Sequence, residues 1–341
     1  MKVQGAHRRS ITRTADGKGA RILDQRKLPW SIAWVELRSA ADAAVAIREM
    51  WTRGAPLIGA TAAYGLAMAL AEDPEGLDRA YADLLATRPT AVNLRWALDQ
   101  IAAAVRDLPA HARAGAAFAR ADAICDEDVA LCRAIGDHGL ELLRDLHAKA
   151  PDRPINILTH CNAGWLATVD YGTATAPIYL AHDAGIPVHV WVDETRPRNQ
   201  GALLTAFELS GHGVPHTVIA DNAGGLLMQR GQVDAVIVGT DRVTANGDVC
   251  NKIGTYLKAL AAHDTGVPFY VALPYTTFDR NTATGEDVEI EERDPAELTM
   301  LADDAGSVKV SASRGYNPAF DVTPARLVTG YITERGVLDR V

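Results

Sequence analysis

The sequence predicts an α/β protein in two parts: a mostly helical domain over residues 1–150 and a parallel-sheet α/β domain over residues 151–341. Three observations predict it. Apolar residues recur at spacings of three and four through the first part, the period of a helix with one buried face. After Pro154, short β-branched runs alternate with helical stretches, the pattern of a parallel sheet covered on both faces. Between the two, "AKAPDRPIN" (residues 148–156) breaks the helical pattern with two prolines and charge.

Taken in order, "ADAAVAIREMWTRGAPLIGATAAYGLAMALAED" and "AVNLRWALDQIAAAVRDL" carry the helical period, and so does "ARAGAAFARADAICDEDVALCRAIGDHGLELLRDLHA". Cys125 and Cys132 are seven residues apart on this last stretch, which places them on one apolar face and predicts core packing. In the second part the runs are "INILTH", "PVHVWVDE", "HTVIAD", "DAVIVGTD" and "PFYVALP". From "RDPAELT" onward, loops and short elements are expected to close the domain.

In open parallel sheets, ligands bind beyond the carboxyl ends of the strands. The five runs end on Thr159-His160-Cys161-Asn162, Asp193-Glu194-Thr195-Arg196-Pro197, Asp221-Asn222, Thr240-Asp241-Arg242 and Pro274-Tyr275-Thr276-Thr277. Aspartate and asparagine make good helix caps. A cysteine and several acids together on one edge point further, to a site. Neighbours on a strand face opposite ways, so His160 is assigned a structural place beside Cys161. The residues after Cys161 are expected to open a helix whose dipole favours a thiolate.

Composition excludes several classes. The net charge of −9 argues against a nucleic-acid partner, since phosphate backbones require a basic face. Four cysteines without a C-x-x-C pair, and no H-E-x-x-H, argue against a disulfide framework or a zinc site. Neither G-x-G-x-x-G nor G-x-x-x-x-G-K-[ST] follows a strand, so no nucleotide cofactor is expected, and no metal is called for. The N-terminus shows no secretory apolar segment and no run approaches the roughly 20 apolar residues of a membrane span, so a cytoplasmic protein without a membrane partner is expected.

Cations for an anionic ligand are present. Asn251-Lys252-Ile253-Gly254-Thr255 is expected to open a helix, offering backbone N–H groups and the Lys252 charge to an anion. Arg53 precedes the small residues Gly54, Ala55, Gly59 and Ala60, where a backbone can approach a ligand. Arg88 precedes a helix start together with Pro89 and Thr90, and arginine's planar fork suits phosphate. Arg95, within the helix, is read as a surface residue.

The strings "LDQRKLP", "RGAPLIG", "RPTAVNL", "THCNAG", "DETRP" with "QGALLTA", "VGTDRVTANGDVCNKIGTY" and "VPFYVALP" together resemble the methylthioribose-1-phosphate isomerase family, over nearly the whole chain from Leu23. The resemblance implies a helical N-terminal domain with a small sheet at its start and a Rossmann-like second domain. It implies Cys161 and Asp241 as the catalytic pair, and Arg53, Gly54, Ala55, Arg88, Gln200, Asn251 and Lys252 as substrate-binding residues. Thr240 and Cys250 stand where alanines are usual, and "YTTFD" replaces a serine-threonine version.

The implied reaction converts 5-methylthioribose 1-phosphate to 5-methylthioribulose 1-phosphate in L-methionine salvage, in a homodimer acting on this phosphorylated pentose. Phosphate on the anomeric oxygen locks the ring, so an acid must open it before hydrogen moves between C2 and C1. Asp241 is the expected acid and base, with a pKa that a dry pocket would raise and that Arg242 would lower. Cys161 is expected either as an acid–base partner near the second carbon or as a group that stabilises the transition state, with hydride shift and enediol proton transfer both open. Sister isomerases of 5-deoxyribose 1-phosphate or ribose 1,5-bisphosphate, and a noncatalytic regulatory subunit, are the alternatives.

Overall fold

A computed structural model describes residues 1–88, 91–302 and 306–340; Pro89 and Thr90 lie outside it. By packing, the chain forms two units. The first comprises Met1, residues 6–131 and residues 165–172; the second comprises residues 2–5, 132–164 and 173–341.

The first unit opens with a three-stranded antiparallel sheet, β1 (Ile11–Arg13), β2 (Ala20–Leu23) and β3 (Trp34–Leu37). Four helices follow: α1 (Ala40–Arg48), α2 (Ala55–Glu72), α3 (Leu77–Leu85) and α4 (Val92–Val105). Helix α1 starts at a capping box in which Ser39 and Asp42 exchange side-chain-to-backbone bonds, satisfying donors that helix ends leave open. By length and composition α2 could cross a bilayer, yet most of its side chains are buried. Its apolar residues sit in one core with Ala43, Leu84, Leu94 and Ile101. Helix α5 (Ala110–Lys149) runs for 40 residues and contributes to both units. Cys125 and Cys132 on it are buried, as the sequence predicts, and Cys125 joins the first unit's core.

The second unit is built on β4 (Ile155–Thr159), α6 (Ala176–Asp183), β5 (Val188–Asp193), α7 (Ala206–His212), β6 (His216–Ile219), α8 (Ala223–Gln229) and β7 (Ala235–Val238). After two further short strands, β8 (Arg242–Thr244) and β9 (Val249–Lys252), come α9 (Thr255–Thr265) and β10 (Phe269–Ala272). The tail adds β11 (Phe278–Asp279), β12 (Phe320–Thr323), β13 (Gly330–Thr333) and β14 (Gly336–Leu338). The main sheet runs β14-β13-β10-β7-β4-β5-β6, parallel except for β14.

From β6 to β13 this is the Rossmann strand order, reversing between β4 and β7. Central strand β7 is buried throughout, as β-branched runs demand, whereas edge strand β6 is partly exposed. The five predicted strands are all present. Strand β13 completes the order from a tail expected to hold loops and short elements, and a four-stranded side sheet, β11-β8-β9-β12, adds to it without a sequence signal.

Leu158 on β4 is fully buried against a core that includes Val236, Val238 and Val271. Leu158→Ala is expected to lower the unfolding free energy by about 2–5 kcal/mol, read from the urea midpoint at unchanged slope.

Candidate active site

The strand order reverses where β4 and β7 lie side by side, with Leu158 paired to Val236. Cys161 and Asp241 head the loops that leave these two strands, where diverging connections open a crevice. The loops touch: a Cβ on Gly239 would stand 2.5 Å from the Ala163 Cβ, closer than real side chains approach. Glycine at 239 therefore brings the Cys161 loop and the Asp241 loop together.

No α-helix follows Cys161, contrary to the expectation from sequence. The next helical turn is a short 3-10 segment at Trp165–Ala167, and α6 begins only at Ala176. The Ala163 carbonyl accepts both the Thr173 and Ala174 N–H groups, at 2.9 and 3.1 Å, so the chain leaves and returns at one point instead of winding onward. Dipole stabilisation of a Cys161 thiolate by a following helix is thus withdrawn. Cys161 is half-buried and has φ of +65°, the left-handed region. Its N–H donates to Thr195 Oγ1 at 2.8 Å, and its carbonyl accepts from Thr205 Oγ1 at 2.7 Å.

Asp241 is exposed and its N–H donates to the Cys250 carbonyl at 3.0 Å. The Thr240 hydroxyl lies 2.8 Å from both the Arg242 and Cys250 carbonyls and accepts from the Arg242 N–H, so it shapes the turn that presents Asp241. Arg242 pairs with Asp279 at 3.1 Å and reaches Thr282, which directs its guanidinium along the side sheet.

Beneath Cys161 lies a buried charge cluster. His160 Nδ1 is 2.8 Å from Asp193 Oδ2, and its Nε2 is 2.8 Å from the Ile253 carbonyl. Asp193 is fully buried, with Lys258 Nζ 3.1 Å from the same oxygen. Lys258 also donates to the Asp221 carbonyl, and Asp221 accepts the Thr195 and Arg196 N–H groups at 2.7 and 2.8 Å. His160, Asp193 and Asp221 are close enough to suit a metal by ligand type. The Lys258 ammonium already supplies the cation there. His160 is therefore structural, as its neighbour position predicts, while Lys258 carries no sequence motif that marks it.

Gln200 is buried at the start of a π-helical turn, Gly201–Thr205, and its Oε1 has no hydrogen-bond partner among the described residues. Such turns hold one extra residue and gather at functional sites. Asn251 and Lys252 lie on strand β9 and do not open a helix. Helix α9 starts at Thr255, and the N–H groups of Gly254 and Tyr256 already donate to Asp321, at 2.7 and 3.2 Å. The anion expected at that helix end is this chain's own carboxylate. Asp321 is held above its usual carboxylate range, burial outweighing those two bonds. Lys252 Nζ donates to the Ala319 carbonyl at 3.0 Å and stands 4.4 Å from the Phe320 ring, while Asn251 Nδ2 donates to Thr255 Oγ1.

Arg53, Gly54, Ala55 and Arg88 belong to the first unit, and Cys161, Gln200, Asp241, Asn251 and Lys252 to the second. Arg53 and Arg88 are half-buried, and Arg95 is exposed as expected. Gly54 caps α2 with φ of +91°, and a Cβ there would stand 2.3 Å from the Ala167 carbonyl oxygen. The small residues expected to admit a ligand serve packing instead at Gly59, where a Cβ would meet the Asn93 carbonyl of α4 at 2.9 Å.

A Rossmann-order sheet with a thiol and a carboxylate heading the loops at its reversal is the frame of a small-molecule α/β enzyme. The profile of the initiation factor 2 subunit family matches residues 51–340. Methylthioribose-1-phosphate isomerase of Methylorubrum extorquens is 62% identical over 99% of this chain and 95% of that protein. The enzyme of the same name from Sinorhizobium medicae is 60% identical over 99% and 96%. Among solved structures, 5-methylthioribose 1-phosphate isomerase from Pyrococcus horikoshii superposes with a TM-score of 0.88 at 41% identity, covering 97% of this chain and 92% of that one. A structure from A. fulgidus described as translation initiation factor eIF-2B, subunit delta, gives 0.85 at 39% identity, covering 97% and 96%. The chain belongs to the initiation factor 2 subunit family and, within it, to the methylthioribose-1-phosphate isomerases.

Two outcomes are expected. Gly239→Ala should lower the unfolding free energy by about 1–3 kcal/mol in chemical denaturation, because the two loops must part to admit a methyl group. Burial, reinforced by the nearby carboxylates Asp128 and Asp241 respectively, pushes the Cys125 and Cys250 thiols up to about 12. At pH 8, below both values, these stay protonated and unreactive, and Cys132 is buried. Iodoacetamide should therefore label native protein at Cys161 first, as peptide mass spectrometry would read, and the other three only on unfolding.

Proposed function

We propose that this chain converts 5-methylthioribose 1-phosphate to 5-methylthioribulose 1-phosphate in methionine salvage, as a cytoplasmic homodimer without metal or cofactor, with Asp241 and Cys161 as its catalytic pair. The observation that carries the reading is this pair at the sheet's reversal in a chain 62% identical, end to end, to an enzyme of that name. Arg53, Arg88 and Lys252 hold the phosphate, the arginines by their forked geometry. Gly54 and Ala55 bring backbone to it, and Asn251 binds the substrate beside Lys252. The open Oε1 of Gln200 accepts a sugar hydroxyl.

Asp241 is assigned as the acid; it is exposed in this structure, so the dry surroundings expected from sequence are supplied only by bound substrate, and Arg242 is engaged with Asp279. It protonates the ring oxygen; the ring C–O bond breaks, leaving positive charge shared between C1 and the phosphate-bearing oxygen. The hydrogen on C2 then passes to C1. In a hydride shift it travels with its electron pair and the C2 hydroxyl loses a proton to Cys161, giving the ketone. In an enediol route Cys161 takes the C2 proton, C1 is reprotonated, and the enol becomes the ketone. Both routes balance, and both place Cys161 beside the second carbon.

Proton NMR of purified protein with 5-methylthioribose 1-phosphate tests the proposal. Cys161→Ala and Asp241→Asn should each lower kcat by about 10²–10⁴-fold while melting like wild type. A preference for 5-deoxyribose 1-phosphate or ribose 1,5-bisphosphate would move the substrate and keep the mechanism. No turnover of any of the three would overturn the enzyme reading in favour of a regulatory subunit, which the likeness to the A. fulgidus structure supports.

A further inference from the structure

Cys161 is not glycine, yet its backbone is left-handed, with φ of +65°. Such a residue persists only where its surroundings over-determine it. Two threonine hydroxyls grip its two peptide groups. Thr195 Oγ1 accepts the Cys161 N–H at 2.8 Å and donates to the Asp193 carbonyl at 3.0 Å. Thr205 Oγ1 donates to the Cys161 carbonyl at 2.7 Å and accepts from Asn162 Nδ2 at 3.2 Å. Both threonines are buried, so water does not substitute for either hydroxyl.

Each hydroxyl is itself held. Thr195 is also left-handed, with φ of +64°, and its N–H is fixed by Asp221 at 2.7 Å. Thr205 ends the π-helical turn that follows Gln200, whose extra residue sets where the hydroxyl falls. That turn is seated against the Asp193 carbonyl, since a Cβ on Gly201 would stand only 1.7 Å from its oxygen. Asn162 Nδ2 donates to Glu208 at 2.9 Å, and Glu208 in turn accepts from Tyr179 at 3.0 Å.

We propose that Thr195 and Thr205 are positioning residues, which hold Cys161 in its left-handed conformation and so fix the direction and reactivity of its thiol. The inference deepens the functional reading above and rests on it for the reaction. Each hydroxyl acts as donor and acceptor at once, so valine, with the same shape, leaves a peptide group of Cys161 unmet. Serine keeps both bonds.

The experiment compares Thr195→Val, Thr205→Val and the corresponding serine variants of the whole chain by turnover, melting temperature, and iodoacetamide labelling of Cys161 against pH. The valine variants should fold, lose about 10- to 100-fold in kcat with KM within about threefold, and shift the labelling profile, while the serine variants recover all three. Labelling does not depend on the substrate: shifted profiles in the valine variants, alongside a wild type that turns over no sugar phosphate, would sink the functional reading and keep the positioning role. Folded valine variants with wild-type labelling and turnover would overturn the proposal. Valine variants that fail to fold where serine variants succeed would overturn it too, assigning the hydroxyls to folding. Cys161→Gly should melt above Cys161→Ala, because only glycine takes this φ without strain; the reverse order would remove the conformational premise.

Discussion

The carboxylate of Asp193 has no contact with solvent, and the active edge of the sheet is organised around meeting its charge. Lys258 from helix α9 and His160 from the end of β4 both approach Oδ2, so three segments distant in sequence are tied at one atom. A buried charge that loses one partner typically costs 3–5 kcal/mol, more than most single contacts contribute. The same residue's carbonyl takes the Thr195 hydroxyl and seats the π-helical turn at Gly201. Side chain and backbone of one aspartate thus fix the neighbours of Cys161 from below and from the side. Little freedom remains at the position where a thiol is presented.

Much of this was legible in sequence because it is local. Period, β-branched runs and the polar residues that end them locate the helical part, five of the six parallel strands, and both Cys161 and Asp241 at strand ends. The illegible part is non-local. Strand β13 is four residues with a glycine at its head, and only pairing with β10 and β14 makes it a strand. Asn251 and Lys252 precede a helix, so they read as its start; pairing with Asp321 and Phe320 of β12 draws them into a strand, and Asp321 takes the helix N–H groups from far along the chain. The missing helix after Cys161 has the same kind of cause, since the Ala163 carbonyl is claimed by the returning chain. Small residues at Gly59 are ambiguous in sequence because close approach to a ligand and close approach to a helix require the same absence of a side chain.

Chains described as an isomerase and as a translation initiation factor subunit both superpose closely on this one. A fold of this kind is a frame, and what it does is decided by the groups at its reversal point. Here a half-buried thiol and an exposed carboxylate stand at that point on touching loops that meet at Gly239, and their catalytic role is our proposal. Net negative charge overall is no obstacle to an anionic ligand on such a frame, because steering and binding respond to charges near the crevice and are screened beyond about 8–10 Å.

The segment from Trp165 to Gly172 interrupts the second unit and packs with the first. Val169 is buried in the helical core and its carbonyl accepts the Ser10 N–H at 3.0 Å, while the Leu166 carbonyl accepts from Gln25 at 2.6 Å. On the ribosome, therefore, the core of the first unit cannot close until strand β4 and the Cys161 loop have already been made. At roughly 5–20 residues per second, the stretch from residue 131 to residue 172 takes on the order of two to eight seconds. During it, the helices of the first unit are complete in sequence and incomplete in core. Vectorial synthesis thus completes the first unit only midway along the chain, and the second waits further for its C-terminal strands.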